Sequence, residues 1–419
     1  MKRVTPTFAE IDLEALRFNY RQLKKCYPAT VKTLCVVKSN AYGHGSGRVA
    51  KVLQEEGADY FGVGTIDEGV ELRESGVKKP ILLLMGLIQD HPNCLLRYQL
   101  TPVLYNLEEA KKLHAFLSHS KRRLEVHVKV DTGMMRLGVL PKDVAHFCDR
   151  LKTLSLLNPV GFMTHLADAG DKAFTTHQEK TFEVARKIFQ QCFPGPRTYH
   201  ISNSQAAMDG RIGHCLSDMK CVCHREPSHA SLAAGSGRGD LTIEPGRWPR
   251  CARHDKIGDD SMVRLGVALY GAYPFPEKNK KDQEKLELKP VMHLKSRVIS
   301  IKRVPAKTAV SYGRTFITKK ESVIGVVPVG YADGYPRSLS NKSEVLVKGK
   351  RVPVVGTVCM DMMMIDLTSL SSMKEGEEVV LFGKQGKEEI RAEELAALAE
   401  TISYEIFCRI SSRVPRVYR

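Results

Sequence analysis

A chain of 419 residues is longer than one ordinary hydrophobic core supports, so two domains are expected, one of them a barrel of up to about 250 residues. Its 64 basic against 47 acidic residues give a net charge of +17, but acids are scattered among the bases and no zinc-finger, RNA-recognition or aromatic-rich basic stripe accompanies them. That argues against a nucleic-acid partner and for a basic protein acting on anionic small molecules. No run approaches the roughly 18 apolar residues of a membrane span, and the N-terminus has no apolar leader core. The 11 scattered cysteines read as reduced thiols of a cytoplasmic protein.

A capped helix is predicted over about 12–25. Short apolar runs then recur at 31–37, 60–63, 81–85, 102–105, 124–130, 160–163, 199–201 and 263–270, most of them separated by helical patterns such as 48–56, 107–117, 142–151 and 175–191. Strands and helices alternating in this way predict an α/β chain whose N-terminal part, 11–275, is a (β/α)8 TIM-like barrel. Chemistry in such barrels gathers at the carboxyl ends of the strands. Lys38 falls after the first run, Lys129, Asp131 and Arg136 after the fifth, His165 after the sixth, Asn203 and Ser204 after the seventh, and Arg264 on the eighth. A lysine leaving a buried strand either reaches water or works with a lowered pKa.

Residues 212–260 turn to Gly, Pro, Ser, His, Arg and Cys without periodicity, which predicts an irregular insertion. Its Cys215, Cys221, Cys223, His224, His229, Cys251 and His254 lack the spacing of common zinc sites, so no metal is expected. A charged linker at 276–289 leads to strand-like runs at 292–304, 323–329, 344–347, 352–355, 362–367 and 378–382, then one helical pattern at 392–401 and an extended tail. Residues 285–419, with 1–10, are therefore expected to form a separate, mainly β domain.

The string Lys38-Ser39-Asn40-Ala41-Tyr42-Gly43-His44-Gly45 resembles the Lys-x-x-Ala-Tyr-Gly-His-Gly element of bacterial alanine racemases, of the fold-type III family that uses pyridoxal 5'-phosphate (PLP). Further matches run through most of the chain. They are Asp131-Thr132-Gly133-Met134-Met135-Arg136, Met163-Thr164-His165, His200-Ile201-Ser202-Asn203-Ser204, Arg264-Leu265-Gly266-Val267-Ala268-Leu269-Tyr270-Gly271, Ser311-Tyr312-Gly313, Gly330-Tyr331-Ala332-Asp333-Gly334-Tyr335, Cys359-Met360-Asp361 and Thr401-Ile402-Ser403-Tyr404-Glu405.

The resemblance implies a role for each matched position. Lys38 would carry PLP as a Schiff base and Tyr312, entering from a partner subunit, would stand on the other face of the substrate's α-carbon. Tyr42, His165, Asn203, Ser204, Arg264, Gly266, Val267 and Tyr404 would hold the cofactor, with Arg264 at the pyridine nitrogen. Arg136 and the Met360 backbone would take the substrate carboxylate, with Cys359 and Asp361 in support. Lys129 is either an ordinary strand lysine or, as in some relatives, a carbamate beside Arg136. The implied function is alanine racemisation in a cytoplasmic homodimer, supplying D-alanine for peptidoglycan. A broader Ala/Ser racemase and a fold-type III PLP decarboxylase are the alternatives, and the Cys-Glu-Ser-like element expected of such a decarboxylase is not found.

Overall fold

The computed structural model describes residues 5–87, 91–203, 208, 261–274 and 286–419. The insertion at 212–260, its cysteines and histidines, and Ser204 lie outside the described residues.

The first strand, β1 (Phe8–Ile11), belongs to the second domain. The next eight are β2 (Lys32–Val36), β3 (Tyr60–Val63), β4 (Ile81–Leu83), β5 (Leu100–Leu104), β6 (Leu124–Lys129), β7 (Leu157–Met163), β8 (Thr198–His200) and β9 (Met262–Leu265). Each pairs in parallel with its neighbour, in the order β8-β7-β6-β5-β4-β3-β2-β9. The seam between β8 and β9 is stitched by a Tyr199–Ser261 bridge and by Arg264 N–H donating to Ser202 O at 3.2 Å, so the barrel is nearly closed. Parallel strands covered on both faces read as continuous apolar runs, which is why these segments lack alternation. Helices between them bury their inner faces, the first (Leu13–Lys24) being capped by Asp12, whose carboxylate accepts Ala15 N–H at 2.8 Å.

The eighth apolar run is a strand only as far as Leu265. Gly266 leaves the extended backbone and Val267–Tyr270 is a single 3-10 turn, a correction to the expected 263–270 strand. The end of the expected linker is also corrected: Leu286 and Leu288 are buried, and Asn19, itself buried, donates to Leu269 O and Lys289 O at 3.1 and 2.7 Å. Alternating charges masked two leucines that belong to the hydrophobic core.

In the second domain follow β10 (Met292–Arg297), β11 (Ser300–Val304), β12 (Ala309–Val310), β13 (Phe316–Ile317), β14 (Ser322–Val327), β15 (Glu344–Val347), β16 (Lys350–Pro353), β17 (Met363–Asp366), β18 (Glu378–Gln385), β19 (Glu388–Ile390) and β20 (Arg416–Tyr418). The main sheet has the order β16-β15-β18-β10-β1-β20, with β19 on β18; a second runs β11-β14-β17. Strand β1 lies antiparallel to β10 (Glu10 opposite His293) and parallel to β20 (Glu10 opposite Val417), so Ile11, expected in the barrel part, is in this sheet. The run 292–304 divides into β10 and β11, and the helical pattern at 392–401 continues as two helices, Ala392–Leu398 and Ser403–Arg409.

Candidate functional site

Strand β2 ends one residue before Val37, and the chain then does something unusual for L-residues. Ser39, Asn40, Ala41 and Tyr42 have φ of 54, 54, 53 and 50°, four consecutive side-chain-bearing residues in the left-handed region, followed by Gly43 at 78° and Gly45 at 97°. At roughly 1–2 kcal/mol per residue the run stores several kcal/mol, which surrounding contacts must offset. Ala41 N–H donates to Val37 O at 2.8 Å, Gly43 N–H to Ser39 O and Gly45 N–H to Asn40 O at 3.0 Å each. Ser39 N–H donates to Glu68 Oε1 at 2.6 Å and Ser46 N–H to Asn40 Oδ1 at 2.8 Å. Lys38, half-buried, heads this run. Burial and then Arg136 lower its pKa, against Glu68 and Cys408, which raise it.

Glu68 was not legible as a site residue. The pattern Thr65-x-x-Glu68 after β3 forms a capping box on the helix Ile66–Glu74, and a cap is all the pattern implies. The same carboxylate also takes Gly64 N–H at 2.6 Å, joining the ends of β2 and β3.

Strand β6 delivers Lys129, buried and pushed down to about 8 by burial and then by Arg264 and Arg136, with Asp131 opposing. Asp131 accepts the N–H groups of Gly133, Met135 and Arg136 at 2.9, 3.0 and 2.9 Å. Burial raises its pKa, yet these donors prevail and hold it low, so the Asp-Thr-Gly element folds the loop that presents Arg136. Thr132 and Thr164 hydroxyls meet at 2.8 Å, and Gln178 donates to Thr132 Oγ1 and His165 O at 3.1 and 3.2 Å.

Arg264 is the electrostatic centre. Fully buried at the end of β9, it donates to Thr164 O (2.8 Å), Ile201 O (3.0 Å), His200 O (3.0 Å), His200 Nδ1 (2.9 Å) and His165 Nδ1 (3.3 Å). Burial pushes its guanidinium down to about 9, and it has no carboxylate partner among these acceptors. Because a guanidinium only donates, His200 Nδ1 must accept and the His200 proton sits on Nε2. That proton points to His127 Nδ1, 2.9 Å away, so His127 carries its own proton on Nε2. His127 was not foreseen; it lies 73 residues from His200, and room for its ring exists because β7 has Gly161, where a Cβ would stand 2.2 Å from the imidazole.

Burial, reinforced by Arg264, pushes His127 down to about 3 and His200 well below its usual range; burial also takes His44 to about 3. A histidine neutral in the fold takes up its proton only on unfolding, near its ordinary pKa of about 6.5. Stability is thus complete above about pH 6.5 and falls with acid, by up to about 1.4 kcal/mol per pH unit for each such histidine. Urea midpoints measured from pH 7.5 down to 5 should fall steeply below pH 6.5; a flat profile would contradict neutral histidines.

The remaining expected residues divide into two groups. Tyr42 joins Tyr270 and Tyr404, with ring centroids 5.1 and 5.7 Å apart, so Tyr404 of the second domain reaches the Lys38 turn. Gly266 and Val267 open the 3-10 turn after Arg264, and Asn203 lies beyond β8. The other group stays on the second domain. Ser311 Oγ donates to Thr357 O at 2.6 Å and lies 3.5 Å from Cys359 Sγ, and Asp361 accepts from Arg413 at 2.8 Å. Tyr312 is 74% exposed and Met360 54% exposed. Among the described residues no hydrogen bond, ion pair or ring contact joins Tyr312 to Lys38, and no cluster of three His, Cys, Asp or Glu could hold a metal ion.

Comparison with known proteins gives the same outline. The model for the alanine racemase N-terminal domain matches residues 11–220, and that for the alanine racemase C-terminal domain matches 291–418. An alanine racemase of Halothermothrix orenii is 38% identical over 421 residues, covering 100% of this chain and 98% of the relative. The structure of alanine racemase from Clostridium difficile 630 superposes with a TM-score of 0.82 at 33% identity, covering 100% of this chain and 97% of that one. That of the Bacillus anthracis alanine racemase with bound L-Ala-P gives 0.82 at 31%, covering 100% and 96%. With a family model matched in each domain and relatives of this identity covered over nearly their whole length, the chain belongs to the alanine racemase family.

Proposed function

We propose that this protein interconverts L-alanine and D-alanine with PLP held on Lys38. The observation that carries the reading is a Lys38 amine with no hydrogen bond or ion pair among the described residues, set in the same strand-end cluster as a buried, fully engaged Arg264. The donor set fits the cofactor. A lysine with a lowered pKa suits an aldehyde carbon, and the Tyr42 and Tyr404 hydroxyls, neither bonded among the described residues, suit a phosphate together with Asn203, Ser204 and the Gly266 and Val267 N–H groups. Bound PLP would supply an electron sink for the α-carbon; an arginine at its ring nitrogen keeps that sink weak, which favours returning the proton over transamination.

The chain's own residues do the rest. Arg136 would bind the substrate carboxylate with its planar fork, helped by the Met360 backbone. Lys38 and Tyr312 would move a proton on opposite faces of the α-carbon, as inversion requires. His165 would pack beside the cofactor ring, and Cys359 and Asp361 would support the Met360 loop. Lys129, with mostly cationic neighbours and a pKa near 8, is suited to carbamate formation, which would convert a repulsion with Arg136 into an attraction. Exposed Tyr312, Met360, Met362 and Ile317 on the second domain support a homodimer in which this face completes the partner's site. A cytoplasmic supply of D-alanine for peptidoglycan is the corresponding role.

The test is chiral chromatography of L-alanine incubated with protein and PLP. Equal L- and D-alanine are expected, with slower turnover of serine. Release of carbon dioxide from a basic amino acid without racemisation would favour the decarboxylase, which the comparisons do not support.

A further inference from the structure

The left-handed run after Lys38 is closed off by residues of the second domain. Arg416, on β20, has no carboxylate partner among the described residues. Its guanidinium donates instead to four carbonyls: Nε to Gly43 O at 2.8 Å, Nη1 to Ser411 O and Val414 O at 2.6 and 2.7 Å, and Nη2 to Ile410 O at 2.5 Å. Three of these acceptors are in its own domain. The fourth is the residue at which the left-handed run ends.

Other parts of the second domain stand against the same turn. A Cβ on Gly43 would lie 2.5 Å from Phe407 O, and one on Gly45 would lie 1.8 Å from Tyr418 Oη. His44 is gripped between Tyr270 (4.5 Å) and Phe407 (5.1 Å), and its Nδ1 lies 3.0 and 2.9 Å from Ala41 O and Tyr42 O. Both partners are carbonyls, so Nδ1 carries the proton and ties two carbonyls of the run together. Strained backbone persists only where its surroundings over-determine it. Glu68 holds the start of the run at Ser39 N–H, and the second domain holds its end.

We propose that Arg416 is a positioning residue for Lys38: by fixing Gly43 O to the second domain it keeps the left-handed run wound, and so keeps the lysine aimed into the barrel mouth. The proposal rests on the reading of Lys38 as the cofactor lysine. A planar fork satisfies four carbonyls at once, whereas an ammonium cannot, so lysine is not an adequate substitute.

Arg73 provides a matched control. It too donates to four carbonyls, Tyr98 O, Val77 O, Lys79 O and Gln99 O at 2.8, 2.8, 2.7 and 3.0 Å, but these lie before β4 and β5, at the opposite end of the barrel. Holoenzyme carrying Arg416→Ala, Arg416→Lys or Arg73→Ala would be titrated with pH while the visible band of the lysine-bound cofactor is followed. Borohydride trapping, read by peptide mass spectrometry, would quantify the fraction fixed on Lys38. Both Arg416 variants should shift that titration, lower the trapped fraction and cut turnover roughly tenfold to a hundredfold. Arg73→Ala should lower the melting temperature with titration and trapping unchanged. If an Arg416 variant does not fold, Tyr418→Ala is the milder probe and should shift the titration in the same direction. Titration and trapping in either variant equal to wild type would overturn the proposal. Failure of the wild-type protein to trap PLP at Lys38 would instead overturn the assignment of the cofactor lysine.

Discussion

Lys38→Ala is expected to abolish racemisation and, with it, the borohydride-trapped cofactor. The side chain would both anchor the cofactor and serve one face of the α-carbon, and loss of a general acid–base group alone typically costs 10² to 10⁴ in rate. With the anchor lost as well, turnover should fall by at least about 10⁴. Lys38→Arg should do no better, because a guanidinium keeps its proton and cannot attack an aldehyde. Since burial and Arg136 already depress the Lys38 pKa, the wild-type amine is available at lower pH than a surface lysine. A Lys38→Ala protein that still yields a reducible cofactor adduct, or racemises at more than about one per cent of wild type, would refute the assignment.

Tyr312→Phe should retain cofactor but lose roughly 10² to 10⁴ in turnover, and the loss should be lopsided. Exchange of the α-hydrogen with solvent should persist for the enantiomer served by Lys38, D-alanine by family resemblance, and nearly stop for L-alanine. The same residue tests assembly. Tyr312 is exposed and shares no hydrogen bond, ion pair or ring contact with Lys38 of its own chain, so the reading requires a second copy. Mixing inactive Lys38→Ala and Tyr312→Phe chains would create heterodimers with one site intact, restoring about a quarter of wild-type activity on random pairing. Subunit-exchanged mixtures that stay inactive, or a fully active monomer by sedimentation, would refute the shared site while leaving the racemase activity standing.

The barrel was legible because its strands are uninterrupted apolar runs and because Lys38 and His165 fall just after such runs, Arg136 in the loop beyond one and Arg264 within another. What escaped reading depends on conformations or partners that composition does not encode. Of Ser39, Asn40, Ala41 and Tyr42 only asparagine favours the left-handed region, so four in succession cannot be inferred from propensity. Glu68 satisfies a helix-cap pattern that conceals its second bond to Ser39. His127 sits in an apolar run as an ordinary interior residue would, and its partner lies 73 residues away. Leu286 and Leu288 were hidden by the charges around them, and Arg416 by lying in a short polar tail. The motif at 311–312 was readable, but only the family resemblance, not composition or spacing, put Tyr312 at a partner's site rather than beside Lys38 of its own chain.

The placement of β1 and β20 sets the order in which the molecule can be completed during synthesis. Strand β1 emerges early, yet its antiparallel partner β10 is about 280 residues further on, and Arg416 follows Gly43 by 373. At about 5–20 residues per second those waits are on the order of 15 to 75 s, during which the ribosome displays a strand with open edges and a lysine turn without its clamp. Much of the barrel can assemble in that interval, because consecutive parallel strands pair as they appear. Gly43 O cannot gain its Arg416 donor until β20 arrives, so a translation arrest near residue 400 would leave a nascent chain with its barrel strands made and the turn after Lys38 unclamped.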